Sequence, residues 1–432
     1  MAKASRARAA AGALRVLVLL AACASAPPLG AAEAGAPGAA VEELLDLARK
    51  QNPDLTARRL EAEAATQRIY PAGAFADPVL RTELNDFTNK ASGGSASLLP
   101  SRVGSTRYLI MQAVPFWGKR DLRREVAEAE AKQAEGRASL TWTELAARVK
   151  TDFAQYYLTH GSAQLTRDIL ALVTDLERIA QARYATGLAA QQDVIRAQVE
   201  QTGLRNDLIR IENEYRRVQA RLNALLRRPP GAPFADPQRL RPVPPPAKLD
   251  FASLEERIKA NNPQLFTLEA EIAAAEKTRE LVYKNRYPDF TLGLASTQGG
   301  SQIKEWMAMI ELNIPLQQRT RRHQESEAGT NLIAARTRKE AALTQFLGEL
   351  GENLSGLDAA QRTETLNRTS LLPQAEATFQ AALVGYQTGK VDFATLLEAE
   401  RAILRARLDI LNAQAEAQAR LAEIERLLGE EL

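Results

Sequence analysis

Asn52-Pro53-Asp54-Leu55 recurs 210 residues later as Asn262-Pro263-Gln264-Leu265, and three further landmarks repeat in the same order. Asp77-Pro78 is answered by Tyr287-Pro288, with 25 residues from proline to proline in both copies. Val114-Pro115-Phe116 is answered by Ile314-Pro315-Leu316, and Tyr184-Ala185-Thr186-Gly187 by Tyr386-Gln387-Thr388-Gly389. A chain with four ordered landmarks in duplicate is built twice from one module, here 41–226 and 250–432. Between the copies, residues 227–249 carry eight prolines and no periodicity, which predicts an extended linker.

Each module has the same grammar. An amphipathic helix, about 41–70 or 251–284, leads to a strand announced by a proline, 79–87 or 289–297. A loop and a second strand follow, 103–114 or 305–314, closed by Pro115 or Pro315. The first loop, Phe87 to Gly104, holds Ser92-Gly93-Gly94-Ser95 and the second holds Gly299-Gly300, compositions suited to exposed hairpin ends. Trp306, Ala308, Ile310, Leu312 and Ile314 alternate with Met307, Met309, Glu311 and Asn313. That pattern fits a barrel wall between lipid and water, and equally an amphipathic strand over a soluble core.

After each closing proline comes a long helical stretch, about 118–182 and 317–384, rich in Ala, Glu, Gln, Arg and Leu. At ~1.5 Å per residue such a helix reaches on the order of 100 Å, beyond any ordinary globular domain. Pro373 predicts a local interruption of the second stretch, because it removes a backbone donor. The chain turns at Tyr184–Gly187 or Tyr386–Gly389 and returns as helix 190–227 or 391–430. Leu204, Leu208, Ile211, Tyr215, Val218, Leu222 and Leu225 step by four and three, a coiled-coil seam. Leu397, Leu404, Leu408 and Leu411 give a less complete stripe.

With 432 residues, 45% apolar and 25% charged, the chain has ample material for buried cores. One cysteine and two histidines (Cys23, His160, His323) exclude an intramolecular disulfide, a Cys₄ zinc site and a His cluster. His160, beside Tyr156, Tyr157 and Gly161, reads as an ordinary helix residue, and His323 lies in a solvated basic run from Arg319. Neither a Gly-rich phosphate loop, nor HExxH, nor a nucleophile-base-acid constellation occurs, so no enzyme, catalytic residue or cofactor is expected.

Lys3, Arg6, Arg8 and Arg15, the apolar run Val16 to Ala22 and small residues beyond it predict a signal peptide over 1–22. Removing these four cations takes the formal charge from +3 to −1, so the sequence pI of 8.9 misleads and no nucleic-acid footprint remains. Leu20-Ala21-Ala22-Cys23 resembles a bacterial lipobox, in which the peptide is cut before the cysteine and the thiol is lipidated. Residues 23–40 would then be a flexible lipidated segment. An ordinary cut near Ala32, with Cys23 discarded, is the alternative. Ala24 stands where an inner-membrane lipoprotein carries a retention aspartate.

Beyond residue 23 no stretch approaches the ~20 uninterrupted apolar residues of a spanning helix, so a membrane crossing has to use strands. Four strands cannot close a barrel, and open edges would leave backbone groups unpaired in hydrocarbon at several kcal/mol each. Two chains would give eight strands and a filled interior; three give twelve and leave a lumen. The expected fold is mainly α and internally duplicated, with a trimeric α-barrel joined to a 12-stranded membrane β-barrel.

These features resemble the TolC-type outer-membrane efflux ducts, and by length and lipobox especially the heavy-metal-efflux branch related to CzcC and CusC. The likeness covers about 41–430. It is carried by the Asn-Pro-x-Leu openings, the proline-bounded strand pairs, Gly118-Lys119-Arg120, and the two Tyr-x-Thr-Gly tips with Asp193-Val194 or Leu396-Leu397 beyond. The resemblance implies a homotrimer in bacterial outer-membrane lipid, with its helical tunnel in the periplasm. It would work with a periplasmic adaptor and an inner-membrane RND pump, conducting metal ions or drugs passively. Such a duct needs no metal ligand of its own, because the pump selects.

The resemblance further implies adaptor contact at Tyr184, Gly187, Tyr386 and Gly389. From the residues alone, both glycines are helix C-terminal turns that need a permissive backbone, and the two readings are compatible. The gate candidates are Asp193, Tyr386, Thr395 and Glu398. Asp193 is expected to hydrogen-bond Tyr386 across neighbouring hairpins. Thr395 and Glu398 stand where the family can place a pair of acids, so one acid is missing. For Asp193 the alternative is a solvated acid favoured by the helix dipole. Two other protein classes fit an exported helical chain, a periplasmic adaptor and a structural coiled-coil lipoprotein. Neither accounts for a duplicated strand pair plus hairpin.

Overall fold

A proline forces the residue before it out of helical geometry, and at both Asn-Pro pairs this divides what the sequence presents as one helix. In the computed structural model, which describes residues 36–432 apart from 91 and 92, the first half runs α1 (Val41–Gln51), α2 (Pro53–Gln67), α3 (Ile69–Gly73), β1 (Val79–Asn85), β2 (Ser105–Val114), α4 (Lys119–Ala185) and α5 (Gln191–Leu225). The second half runs α6 (Phe251–Asn261), α7 (Pro263–Lys284), β3 (Phe290–Gly299), β4 (Gln302–Leu312), α8 (Gln318–Leu366), α9 (Leu372–Gln387) and α10 (Phe393–Leu428). The expected signal peptide over 1–22 and Cys23 lie outside the described residues.

Asn52 and Asn262 explain the recurring motif. Each is extended, with ψ of 123° and 120°, and each caps the helix that its proline starts. The Asn52 side chain accepts the Leu55 N–H at 3.1 Å and donates to the Leu225 carbonyl at 3.0 Å. Asn262 accepts from Leu265 at 2.8 Å and donates to the Leu427 carbonyl at 2.8 Å. One side chain thus starts a helix and satisfies a carbonyl at the end of the return helix. Continuous helices over 41–70 and 251–284 are therefore corrected to broken ones.

The helix α4 runs unbroken for 67 residues, on the order of 100 Å at the standard rise. Its counterpart is interrupted: a π-helical turn, Asn367–Leu371, separates α8 from α9 just before Pro373. A wider turn there absorbs the carbonyl that a proline cannot serve. The seam lies on the inner face of α5, with Leu204, Val218 and Leu222 buried and Leu208, Ile211, Tyr215 and Leu225 half-buried.

Among the described residues, three apolar clusters are strung along the helices. One joins Val173, Leu176 and Leu204 of the first hairpin to Phe379, Tyr386, Leu396 and Ile403 of the second. Another packs α1 against Phe153, Tyr156, Val218 and Leu222, and the last packs α6 against Leu350, Leu357, Ile424 and Leu427. Residues 227–249 cross the surface with one 3₁₀ turn, Pro246–Lys248. They are anchored by Phe234 in the α1 cluster and by Val243 and Leu249 against the α6 cluster. From this strap Arg241 reaches buried Glu425 at 2.9 and 3.0 Å, and Lys150 of α4 reaches the same carboxylate at 2.8 Å.

The strands form one antiparallel sheet in the order β1-β2-β3-β4. The two halves meet at β2 and β3, in register from Thr106↔Gln298 to Val114↔Phe290. The second hairpin closes tightly at Gly300, which takes φ +67°, with a register shift between Thr297 and Gln298. That leaves β1 and β4 as the edges.

Candidate functional site

The far ends of the two helical hairpins are built alike. Gly187 N–H donates to the Tyr184 carbonyl at 3.0 Å and Leu188 N–H to Arg183 at 2.8 Å. In the second turn Gly389 N–H donates to Tyr386 at 3.1 Å and Lys390 N–H to Gly385 at 2.8 Å. Gly187 and Gly389 take φ of +74° and +75°, the left-handed region that closes helices. A Cβ on Gly187 would meet nothing within 4 Å, so conformation rather than crowding demands glycine there. Thr186 and Thr388 each turn a hydroxyl back onto a helix carbonyl, at 3.0 Å to Arg183 and 3.0 Å to Val384.

The two tip tyrosines then diverge. Tyr184 is 48% exposed, whereas Tyr386 is 3% exposed, its ring centroid 5.2 Å from that of Phe393. The Tyr386 hydroxyl donates to Asp193 Oδ2 at 3.3 Å. Burial, followed by the Asp193 carboxylate, pushes this phenol up to about 12, so it remains a donor throughout the physiological range. Arg183, which sequence reasoning missed, completes the arrangement. Its guanidinium lies 5.0 Å over the Tyr386 ring and donates to the Gln387 carbonyl at 2.6 Å and to Leu188 at 3.3 Å. The signal was an asymmetry in the repeat: the first copy has Arg183 before its tyrosine where the second has Gly385.

Asp193 and Tyr386 are therefore brought together between α5 and α9 of one chain. Thr395 and Glu398 are not part of that contact. Both are exposed on α10, and the Thr395 N–H donates to Asp392, the residue that caps the helix, at 3.0 Å.

At the opposite end, strand register sorts the sheet into two faces. Leu80, Ile110, Leu292, Leu294, Trp306 and Ile310 share one face, all of them exposed. Arg81, Glu83, Arg107, Glu305 and Glu311 share the other. The alternation of Trp306, Ala308, Ile310 and Leu312 with Met307, Met309 and Glu311 is thus real in the sheet, the former exposed and the two methionines half-buried. Where sheet meets helices, Tyr70, Phe75, Trp117 and Tyr287 are exposed aromatics. Behind them the buried Lys119 ammonium donates to Asp289 at 2.8 Å and to the Tyr287 carbonyl at 3.0 Å, while Asp289 accepts the Phe116 N–H at 2.8 Å. Among the described residues no helix is long and apolar enough to cross a membrane.

Residues 44–227 and 254–430 match the family described as Outer membrane efflux protein. The cobalt-zinc-cadmium resistance protein CzcC of Cupriavidus metallidurans is 24% identical over 400 residues, 90% of each chain. Among solved structures, the outer membrane protein VceC of Vibrio cholerae superposes with a TM-score of 0.77 at 17% identity, over 90% of this chain and 96% of that one. CusC superposes with a TM-score of 0.77 at 17% identity, over 90% and 92%.

Proposed function

The chain belongs to the outer membrane efflux protein family, and from that premise we propose that three copies form the outer-membrane exit duct of a tripartite efflux system. Each copy contributes four strands to a 12-stranded barrel and two helical hairpins to a periplasmic tunnel. The observation that carries this reading is the sheet itself: four strands, two free edges, one apolar face and one charged face. Such a sheet is stable in hydrocarbon only when neighbouring chains pair with β1 and β4. The apolar face then meets lipid, the charged face lines water, and the aromatics near Trp117 sit at the interface.

In this reading the tips are the periplasmic entrance. Tyr184, Gly187 and Gly389 present the docking surface for a periplasmic adaptor, itself bound to an inner-membrane pump of the RND type. The bonds among Arg183, Tyr386 and Asp193 hold the two hairpins together and keep the entrance narrow, and Glu398 adds an acidic charge beside it. The cargo we infer is metal ions, on the strength of the cobalt-zinc-cadmium resistance relative. Signal peptidase removes 1–22, and Cys23 carries the lipid.

Fractionation tests the assignment. The duct reading expects heat-modifiable oligomers in the outer membrane and loss of cobalt, zinc or cadmium tolerance on deletion. Release by osmotic shock would point instead to a soluble scaffold.

A further inference from the structure

Glu400 lies on α10 two turns above Phe393 and is 0% exposed, and both of its carboxylate oxygens lack a hydrogen-bond partner among the described residues. It sits in the stretch where the two hairpins meet: Leu396, Leu397, Ala399 and Ile403 flank it on its own helix and belong to the cluster that holds Val173, Leu176, Ala197 and Phe379. An ionised carboxylate without donors is not tolerated in such surroundings, whereas a protonated one is a small, neutral side chain.

The charges that reach Glu400 come from two residues. Glu200 on α5 opposes its ionisation and Arg401 on its own helix favours it, but Arg401 is committed to Glu200. Three acids on α4 and α9 are engaged with other groups. On α4, Glu177 accepts from Gln181, Gln198 and Gln201, and Asp175 pairs with Arg178. On α9, Glu376 pairs with Arg407.

We propose that Glu400 makes the joint between the two hairpins proton-sensitive, tight when the carboxyl is neutral and progressively loosened as protons are withdrawn. Opening the joint hydrates the carboxyl, which then ionises as an ordinary glutamate; below about pH 7 closing it takes the proton back. Burial, then Glu200, lifts the closed-state carboxyl to about 7 from its usual 4.5. Opening is therefore favoured about tenfold per pH unit between these values and levels off above the higher one. Because Tyr386 and Phe393 belong to the same cluster, loosening reaches the Asp193 contact at the tip. This device does not depend on the cargo or on the adaptor.

Hydrogen exchange of the full-length protein in detergent, corrected for the intrinsic pH dependence of amide exchange, tests it. In the segment 372–404, opening should rise about tenfold per unit from pH 5 and reach a plateau near 7, and Glu400→Gln should abolish the rise. Glu200→Gln, which keeps the buried acid but removes its like-charged neighbour and frees Arg401, should move the plateau to lower pH. A wild-type profile flat between pH 5 and 7, a slope that survives Glu400→Gln, or a plateau that Glu200→Gln leaves in place would each overturn the proposal.

Discussion

Arg183 donates to the main-chain carbonyl of Gln387 at 2.6 Å, so the turn of the first hairpin is bonded to the turn of the second within one chain. The Tyr386 hydroxyl on Asp193 adds a side-chain bond at the same level. Asp193→Ala combined with Tyr386→Phe removes one hydrogen bond to a charged group, worth roughly 1.5–3 kcal/mol. Single-channel conductance in planar bilayers should rise in the double variant and rise further with Arg183→Leu. Unchanged conductance in both variants would remove these residues from the gate.

The buried Glu425 carboxylate holds the strap to the helices through Arg241 and Lys150. Glu425→Gln leaves Arg241 facing a neutral amide and Lys150 with only the exposed Glu431 carboxylate, and should lower stability by about 3–5 kcal/mol in thermal or denaturant unfolding. Burial pushes this carboxyl up, but Arg241 and Lys150 outweigh burial and hold it below the usual glutamate range. Its folded value is depressed, so its contribution is complete above the unfolded value of about 4.5 and is lost as pH falls through the folded one. Acid unfolding of wild type should therefore be steeper than that of the glutamine variant.

Glu400→Gln should act in the opposite sense. The carboxyl is raised in the folded state to about 7, so its ionisation penalty is absent below about 4.5 and complete above 7. Converted at 1.36 kcal/mol per pH unit, the variant should gain up to about 3 kcal/mol at pH 8 and close to nothing at pH 4. Melting curves at the two pH values check this.

Asn262→Ala removes a cap and strands the buried Leu427 carbonyl, for a loss of about 2 kcal/mol. Asn262→Asp keeps the acceptor for Leu265 but sets a buried carboxylate oxygen against the Leu427 carbonyl, so it too should fall below wild type. The same should hold at Asn52, whose partners are Leu55 and Leu225.

What the sequence made legible was whatever local chemistry dictates. Proline bounds, glycine turns and the four-three spacing of Leu204 to Leu225 located the strands, the tips and the inner face of α5. The asparagine caps were visible as a repeated motif, but the helix break they impose was not, because the flanking periodicity continues through it. Pro373 announced an interruption without revealing that a π-helical turn would absorb it. Arg183 and Glu400 were missed for another reason. Their environments are made by residues about 200 positions away in the other hairpin, and burial of an acid on a charged helix leaves no periodic trace.

Among the described residues β1 and β4 end a four-stranded sheet with unpaired edges, so one chain is expected to supply a third of a wall. Native mass spectrometry of the full-length protein in detergent measures this directly. The account predicts a complex of three copies; a stable monomer would contradict it.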